Sequence, residues 1–225
     1  MTLVLLVIVG SLICLDRTQW LQVMVSRPIV LAPIMGWFAG MPLLGASIGL
    51  AFEFLYAGRL PVGSHVPPSD TLAAWGATGL LVLSPDMQTF AGAGFCAALA
   101  LPMAEVGRGV DIWIRKMNGR LAARVEQALR RGDLKLLEVT PWRSLLLGMA
   151  LYGLVLLAFF MLGMALASLL WPMVPPWLAT AFALFLAGLP ILGLAESSSS
   201  LDPNRFPRSA VVGLAAGIAL LMWVM

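Results

Sequence analysis

The sequence predicts an all-α integral membrane protein, a multi-span bundle with broken or re-entrant half-helices around a polar centre. Three observations carry that prediction. Sixty per cent of the 225 residues are apolar and eleven per cent are charged, and the mean hydropathy is +0.94, far from the composition of soluble domains. Span-length apolar runs alternate with shorter ones punctuated by proline and glycine. The charges are concentrated, nine of the fourteen Lys and Arg falling between residues 108 and 143. The length suits one compact membrane domain over residues 1–225, with about six to eight passes or partial passes at about 20 residues per full span.

The first apolar run covers residues 2 to 15 and is closed by Asp16 and Arg17. It lacks a basic leader and an A-x-A cleavage signature, so it reads as a retained membrane segment and not as a removable signal peptide. Residues 28 to 57 contain Pro28, Pro33 and Pro42, each of which removes a helix donor and clashes one turn back. They read as two half-helices broken near Gly40–Pro42. Gly36 with Gly40, and Gly45 with Gly49, are spaced four apart and offer small faces for close helix approach.

An apolar helix is expected over Thr71–Leu83, then a turn at Ser84–Pro85–Asp86, where proline suits a turn. Residues 88 to 113 are apolar again, with Glu105 and Arg108 placed to pair across one helical turn. The connection at about 113–142 is the only long charged segment. Leu121, Val125, Ala128 and Leu129 lie at helical spacing opposite Arg120, Arg124, Arg130 and Arg131, which predicts an amphipathic helix ending at Gly132. Its positive charge places it in the cytoplasm, either on anionic headgroups or against a soluble partner. A span over Leu145–Leu170, an interfacial turn at Trp171–Trp177, a span over Leu178–Ala195, a polar loop from Glu196 to Arg208 and a final apolar run from Ser209 to Met225 complete the chain. Arg205 and Arg208 put that polar loop on the cytoplasmic side too, two spans beyond the first basic segment.

The stretch from Glu53 to Ala74 is the candidate site. It gathers Glu53, Arg59, His65 and Asp70 with three prolines and two glycines. Irregular backbone at membrane depth is tolerated only inside protein or beside a water-filled cavity, and ionisable groups there usually face a substrate path. Glu53 can accept hydrogen bonds from the hydroxyls of a polyol, or pair with Arg59 or Arg27. Asp70 can meet a ligand or cap the helix it opens. His65, the one histidine, is a ligand contact, a phosphohistidine or an ordinary loop residue. No phosphate loop, HExxH or GxSxG sequence occurs, and Cys14 and Cys96 lie inside apolar runs. No metal and no cofactor are expected. A net charge of +3 without a receiving motif gives no reason to expect nucleic acid.

The ordered set Ser11, Leu15 and Asp16, Arg27–Pro28, the glycine-rich run, Glu53, VGSHVPPSDTLA, ALPMAEVGR and the charged helix through Gly132 resembles the IIC subunit of the mannose/fructose/sorbose phosphotransferase system, over about residues 10 to 150. The resemblance implies a hexose permease subunit in a bacterial cytoplasmic (inner) membrane, paired with a IID-like membrane subunit in a homo-oligomer of IIC–IID pairs. Soluble IIA and IIB proteins would carry the phosphoryl group, and none would form on this chain. It also implies that Glu53 and the 62–72 loop, with His65, Ser69 and Asp70, bind the sugar. Departures from the family pattern are Gly40–Met41 for Gly-Asp, Pro68–Ser69–Asp70 for an adjacent Pro-Asp, and Arg108 for an uncharged polar residue. They make a non-transporting scaffold or sensor the alternative. A third reading is ion-coupled transport through Glu53 and Asp70.

Overall fold

In a computed structural model of the chain, residues 1–17, 19–20, 22–59 and 65–201 are described. They form seven α-helices and two 3-10 turns, with no strand among the described residues. Four short helices come first: α1 (Thr2–Asp16), α2 (Pro28–Phe38), α3 (Pro42–Tyr56) and α4 (Asp70–Leu83). At about 1.5 Å per residue the longest of them reaches only about 23 Å, short of a hydrocarbon core of about 30 Å. Three long helices follow: α5 (Phe90–Arg130), α6 (Lys135–Leu170) and α7 (Pro176–Leu201). Among the described residues these are the helices long and apolar enough to cross a membrane, and the protein is a multi-pass membrane protein.

The two expected half-helices are α2 and α3. Pro28 and Pro42 each sit in the first turn, where the missing N–H is no loss. The chain reverses between them through Gly40 at φ +77°, a conformation glycine adopts without strain. The arms then pack backbone to backbone. A Cβ on Gly45 would lie 2.4 Å from the Ala32 carbonyl oxygen, and one on Gly49 would lie 2.5 Å from that of Pro28. Gly36 meets Gly45 in the same seam, whereas Gly40 serves the turn and not the packing face that its spacing had suggested.

Helix α4 is the centre of the molecule. Every residue from Thr71 to Leu81 is buried, and the helix touches α1, α2, α3, α5 and α6. Its glycines admit large neighbours: Gly76 lies under the Phe159 ring, and Gly79 under that of Phe160. Helices α6 and α7 instead leave Leu146, Leu154, Met161, Leu162 and Leu192 exposed, an apolar surface that suits lipid.

The charged segment differs from its expected form. It is not a separate amphipathic helix but the far half of α5, continuous with the apolar half, and the start of α6. The break in hydrophobic pattern near residue 113 coincides with no break in helical backbone. The chain turns only at residues 131–134, where Gly132 at φ +79° lets the Gly132 N–H reach the Leu129 carbonyl at 3.0 Å and the Asp133 N–H that of Ala128 at 3.0 Å. That pair of bonds is a Schellman closure. Helix α5 has 41 residues, about 62 Å of rise, so roughly half of it extends beyond a bilayer core. Ser144 donates to Asn118 at 2.7 Å across the two arms, and Glu105 pairs with Arg108 at 3.1 Å as expected.

At the C-terminal end, α7 continues through Glu196 to Leu201, so the first part of the expected polar loop is helical. No proline or glycine interrupts the chain from Glu196 to Leu201, so nothing there forces the helix to stop at the apolar boundary. Residues 202–208 and the expected final apolar run at 209–225 lie outside the described residues.

Candidate functional site

The site is built where the short helices end. Asp16 closes α1, and its carboxylate accepts the Val23 N–H at 3.0 Å and the Ser26 N–H at 3.2 Å. These bonds fold the following segment back over the helix end. In that segment Gln22 and Met24 hold φ of 53° and 64°, left-handed backbone that costs a non-glycine residue energy and tends to mark functional loops. Arg17, next in sequence, forms an ion pair with Asp70 at the start of α4.

Glu53 sits near the end of α3 and pairs with Arg27 at 2.9 Å. Its other oxygen accepts the Ile29 N–H at 3.4 Å, so a carboxylate lies at the N-terminus of α2, where the helix dipole favours it. Of the two arginines weighed as partners, Arg59 pairs elsewhere: it meets Glu196 at 3.4 Å and lies 5.7 Å above the Tyr56 ring.

Ser69, not Asp70, is the N-cap of α4; its Oγ accepts the Leu72 N–H at 3.4 Å. Asp70 occupies the first helical position, and its Oδ1 accepts the Thr71 N–H at 2.8 Å. Thr71 donates to the Ser26 carbonyl at 2.8 Å, and the Ser69 N–H donates to the Ala104 carbonyl of α5 at 2.8 Å. The segment before α4 is thereby fixed to α5.

Together these elements enclose a cavity of about 500 Å³, whose lining includes Asp16, Arg17, Arg27, Tyr56, Arg59 and Asp70. That volume lies within the range of about 300–1,000 Å³ typical of small-molecule sites. Two carboxylates and three guanidinium groups line it, a set that can accept from and donate to hydroxyls. Of the residues singled out in the sequence, Asp70 lines the cavity and Glu53 reaches it through Arg27. Ser69 is buried beneath it as a cap. His65 is exposed and lines a different groove of about 530 Å³, with Val66, Arg108, Ile112, Arg115 and Lys116. No group of acids, histidine and cysteines able to hold a metal occurs among the described residues.

Sequence reasoning missed the share of Asp16 and Arg17 in the cavity, because they read as the end of a short span. Their signal was an acid and a base together at the close of an apolar run too short to cross. It also missed the buried pair in which the Tyr152 hydroxyl donates to Asp111, within reach of the charge on Arg17.

The class this architecture defines is a multi-pass membrane protein with a polar cavity at the ends of half-helices. The family model described as "PTS system sorbose-specific iic component" matches residues 1–225, and the chain belongs to that family. A curated relative, the "Fructose permease IIC component" of Bacillus subtilis (strain 168), is 26% identical over 137 residues, which cover 61% of this chain and 47% of the relative. The chain thus spans about half the length of the curated relative it matches. A solved structure titled "Structure of membrane protein" superimposes with a TM-score of 0.70 at 17% identity, covering 99% of this chain and 94% of that one. It is similar in fold.

Proposed function

We propose that this chain is the sugar-binding permease subunit of a phosphotransferase-type transporter in a bacterial cytoplasmic membrane. In this reading a hexose occupies the cavity at the ends of α1, α3 and α4, and a phosphorylated IIB protein phosphorylates it there. The observation that carries the reading is the cavity itself: charged hydrogen-bonding groups from four separate segments converge on a space of small-molecule size. Among the described residues the Asp70 carboxylate takes its bonds, from Arg17 and the Thr71 N–H, on Oδ1, which leaves Oδ2 as an acceptor for a sugar hydroxyl. Glu53 holds Arg27 at the rim, and Arg27 and Arg59 donate to ring or hydroxyl oxygens. Orientation of one hydroxyl toward an incoming phosphoryl group is the chemistry these residues supply. The chain itself carries no phosphoryl group; IIA and IIB do.

The basic arms of α5 and α6 suit IIB as a docking face, and the exposed apolar sides of α6 and α7 suit a IID-like subunit in an oligomer of IIC–IID pairs. Of the residues expected at the sugar site, Asp70 faces the cavity and Glu53 acts through Arg27; Ser69 supports the site by seating the segment that carries Asp70, and His65, on the other face of that segment, belongs to the separate groove. The test is uptake of a labelled hexose panel by vesicles holding this chain and a IID partner, with and without phosphorylated IIB. Sugar phosphate inside, dependent on phosphorylated IIB, is the expected result. No uptake by inserted complexes supports a scaffold or sensor instead, and gradient-driven uptake of unmodified sugar supports ion coupling.

A further inference from the structure

The segment from His65 to Asp70 is a wall with two faces. Pro68 and Asp70 line the cavity on one side. His65 and Val66 line the separate groove of about 530 Å³ on the other, against Arg108, Arg115 and Lys116 of α5. The wall is fixed in place, because Pro67, Pro68 and Ser69 are buried and the Ser69 N–H is bonded to Ala104.

The groove is electrostatically one-sided. Arg108 is paired with Glu105, but neither Arg115 nor Lys116 has an ion pair among the described residues. The other acid nearby on α5, Asp111, is buried and accepts the Tyr152 hydroxyl. Arg115 acts on that acid through its charge alone, and Lys116 has no ion pair among the described residues, so the groove presents two cations that no acid contacts directly, beside an imidazole and a third guanidinium. A fork of arginine donors with a lysine ammonium matches phosphate oxygens. A phosphate monoester carries about −1.5 to −2 charges at neutral pH and three terminal acceptor oxygens, one for each of Arg108, Arg115 and Lys116, whereas a lipid phosphodiester offers two such oxygens and a single charge.

We propose that the groove lined by His65, Arg108, Arg115 and Lys116 is a binding site for a phosphate monoester dianion, separated from the sugar cavity only by the 65–70 wall. Five residues of extended chain span at most about 18 Å, so both sites lie within one segment's reach. The site rests on the permease reading only for the identity of its natural ligand, and not for its existence.

The test is titration of the full chain with inorganic phosphate in nanodiscs of zwitterionic lipid, followed by phosphorus NMR, with no sugar present. The variant Arg115→Gln/Lys116→Gln is expected to weaken binding by about tenfold or more, as loss of charge-assisted bonds should. The variant Arg124→Gln/Arg131→Gln removes the same charge farther along the arms and is expected to leave binding unchanged. Equal loss in both variants would show diffuse attraction and overturn the site, as would unchanged binding in the first. Nanodiscs containing phosphatidylglycerol separate the sources: if the anionic headgroup displaces phosphate, the groove is a lipid site and the monoester assignment fails. Because no step requires uptake, a failed transport assay leaves this result standing on its own.

Discussion

Gly107 is the point at which a single methyl group should separate the wall from the helix that carries it. A Cβ at that position would lie 2.4 Å from the Ser69 Cβ and 3.1 Å from a Leu72 methyl. An ordinary contact begins at 3.4 Å, so Gly107→Ala demands a shift of about 1 Å from a neighbour held by its backbone bond to Ala104 and by its cap. Overpacking of this kind costs typically about 1–3 kcal/mol. Two residues on, Gly109 meets nothing within 4 Å and shares the same helix, so Gly109→Ala carries only the helix-propensity gain of about 1 kcal/mol. Comparing the two alanine variants cancels that gain and isolates the steric cost. Thermal unfolding in one detergent should place Gly107→Ala below Gly109→Ala by about 1–3 kcal/mol, and sugar binding should weaken in the first alone, because the displaced segment carries Asp70 into the cavity. Equal stability and equal binding in the two variants would refute the tight seating of the wall on α5.

Glu53→Gln should insert normally and lose most sugar uptake: Arg27 is half exposed, so their pair adds no more than about 1 kcal/mol to folding, and full uptake would remove Glu53 from the site. Arg17→Gln leaves the Asp70 carboxylate in a mostly enclosed position and should destabilise the protein more than the double change Arg17→Gln/Asp70→Asn does, a non-additivity read from unfolding midpoints in a mutant cycle. Gly132→Ala forces a side chain into left-handed backbone and should cost about 1–2 kcal/mol, loosening the tip of the α5–α6 hairpin, detectable as faster amide exchange there than in wild type. Replacing Arg120, Arg124 and Arg131 together by Gln should weaken co-sedimentation with IIB and flatten its salt dependence; unchanged co-sedimentation would place IIB elsewhere.

The half-helices were legible in the sequence because proline and glycine act locally: Pro28, Pro42 and Gly40 impose their backbone wherever they stand. A cation partner for Glu53 was legible for a similar reason, since isolated charge in an apolar run demands a partner, and Arg27 is one of the two candidates the sequence offered. The ion pair of Asp70 was not foreseen, because the Arg17–Asp70 pair spans 53 residues and depends on how α1 docks against α4. Continuity of α5 past residue 113 was hidden by a change of surroundings, from protein and lipid to water, that alters hydrophobic pattern without altering helix propensity. His65 shows the opposite limit. Its proximity in sequence to Asp70 suggested a shared site, but an extended segment can present neighbours to opposite sides, and only the fold decides which.

The burial of α4 on all sides constrains how anything could cross this protein. A helix with no lipid face cannot open a passage by swinging outward into the bilayer, and at 14 residues it rises only about 21 Å between the cavity at its N-terminus and the turn at Ser84. A route along α4 would follow its protein seams, and those at Gly76, Gly79 and Gly107 have only glycine on one side to hold them shut. Crossing would then be governed by how the phenylalanine rings of α6 and the Ser69 wall are displaced from those glycines, a sliding of packed surfaces and not the parting of a pore.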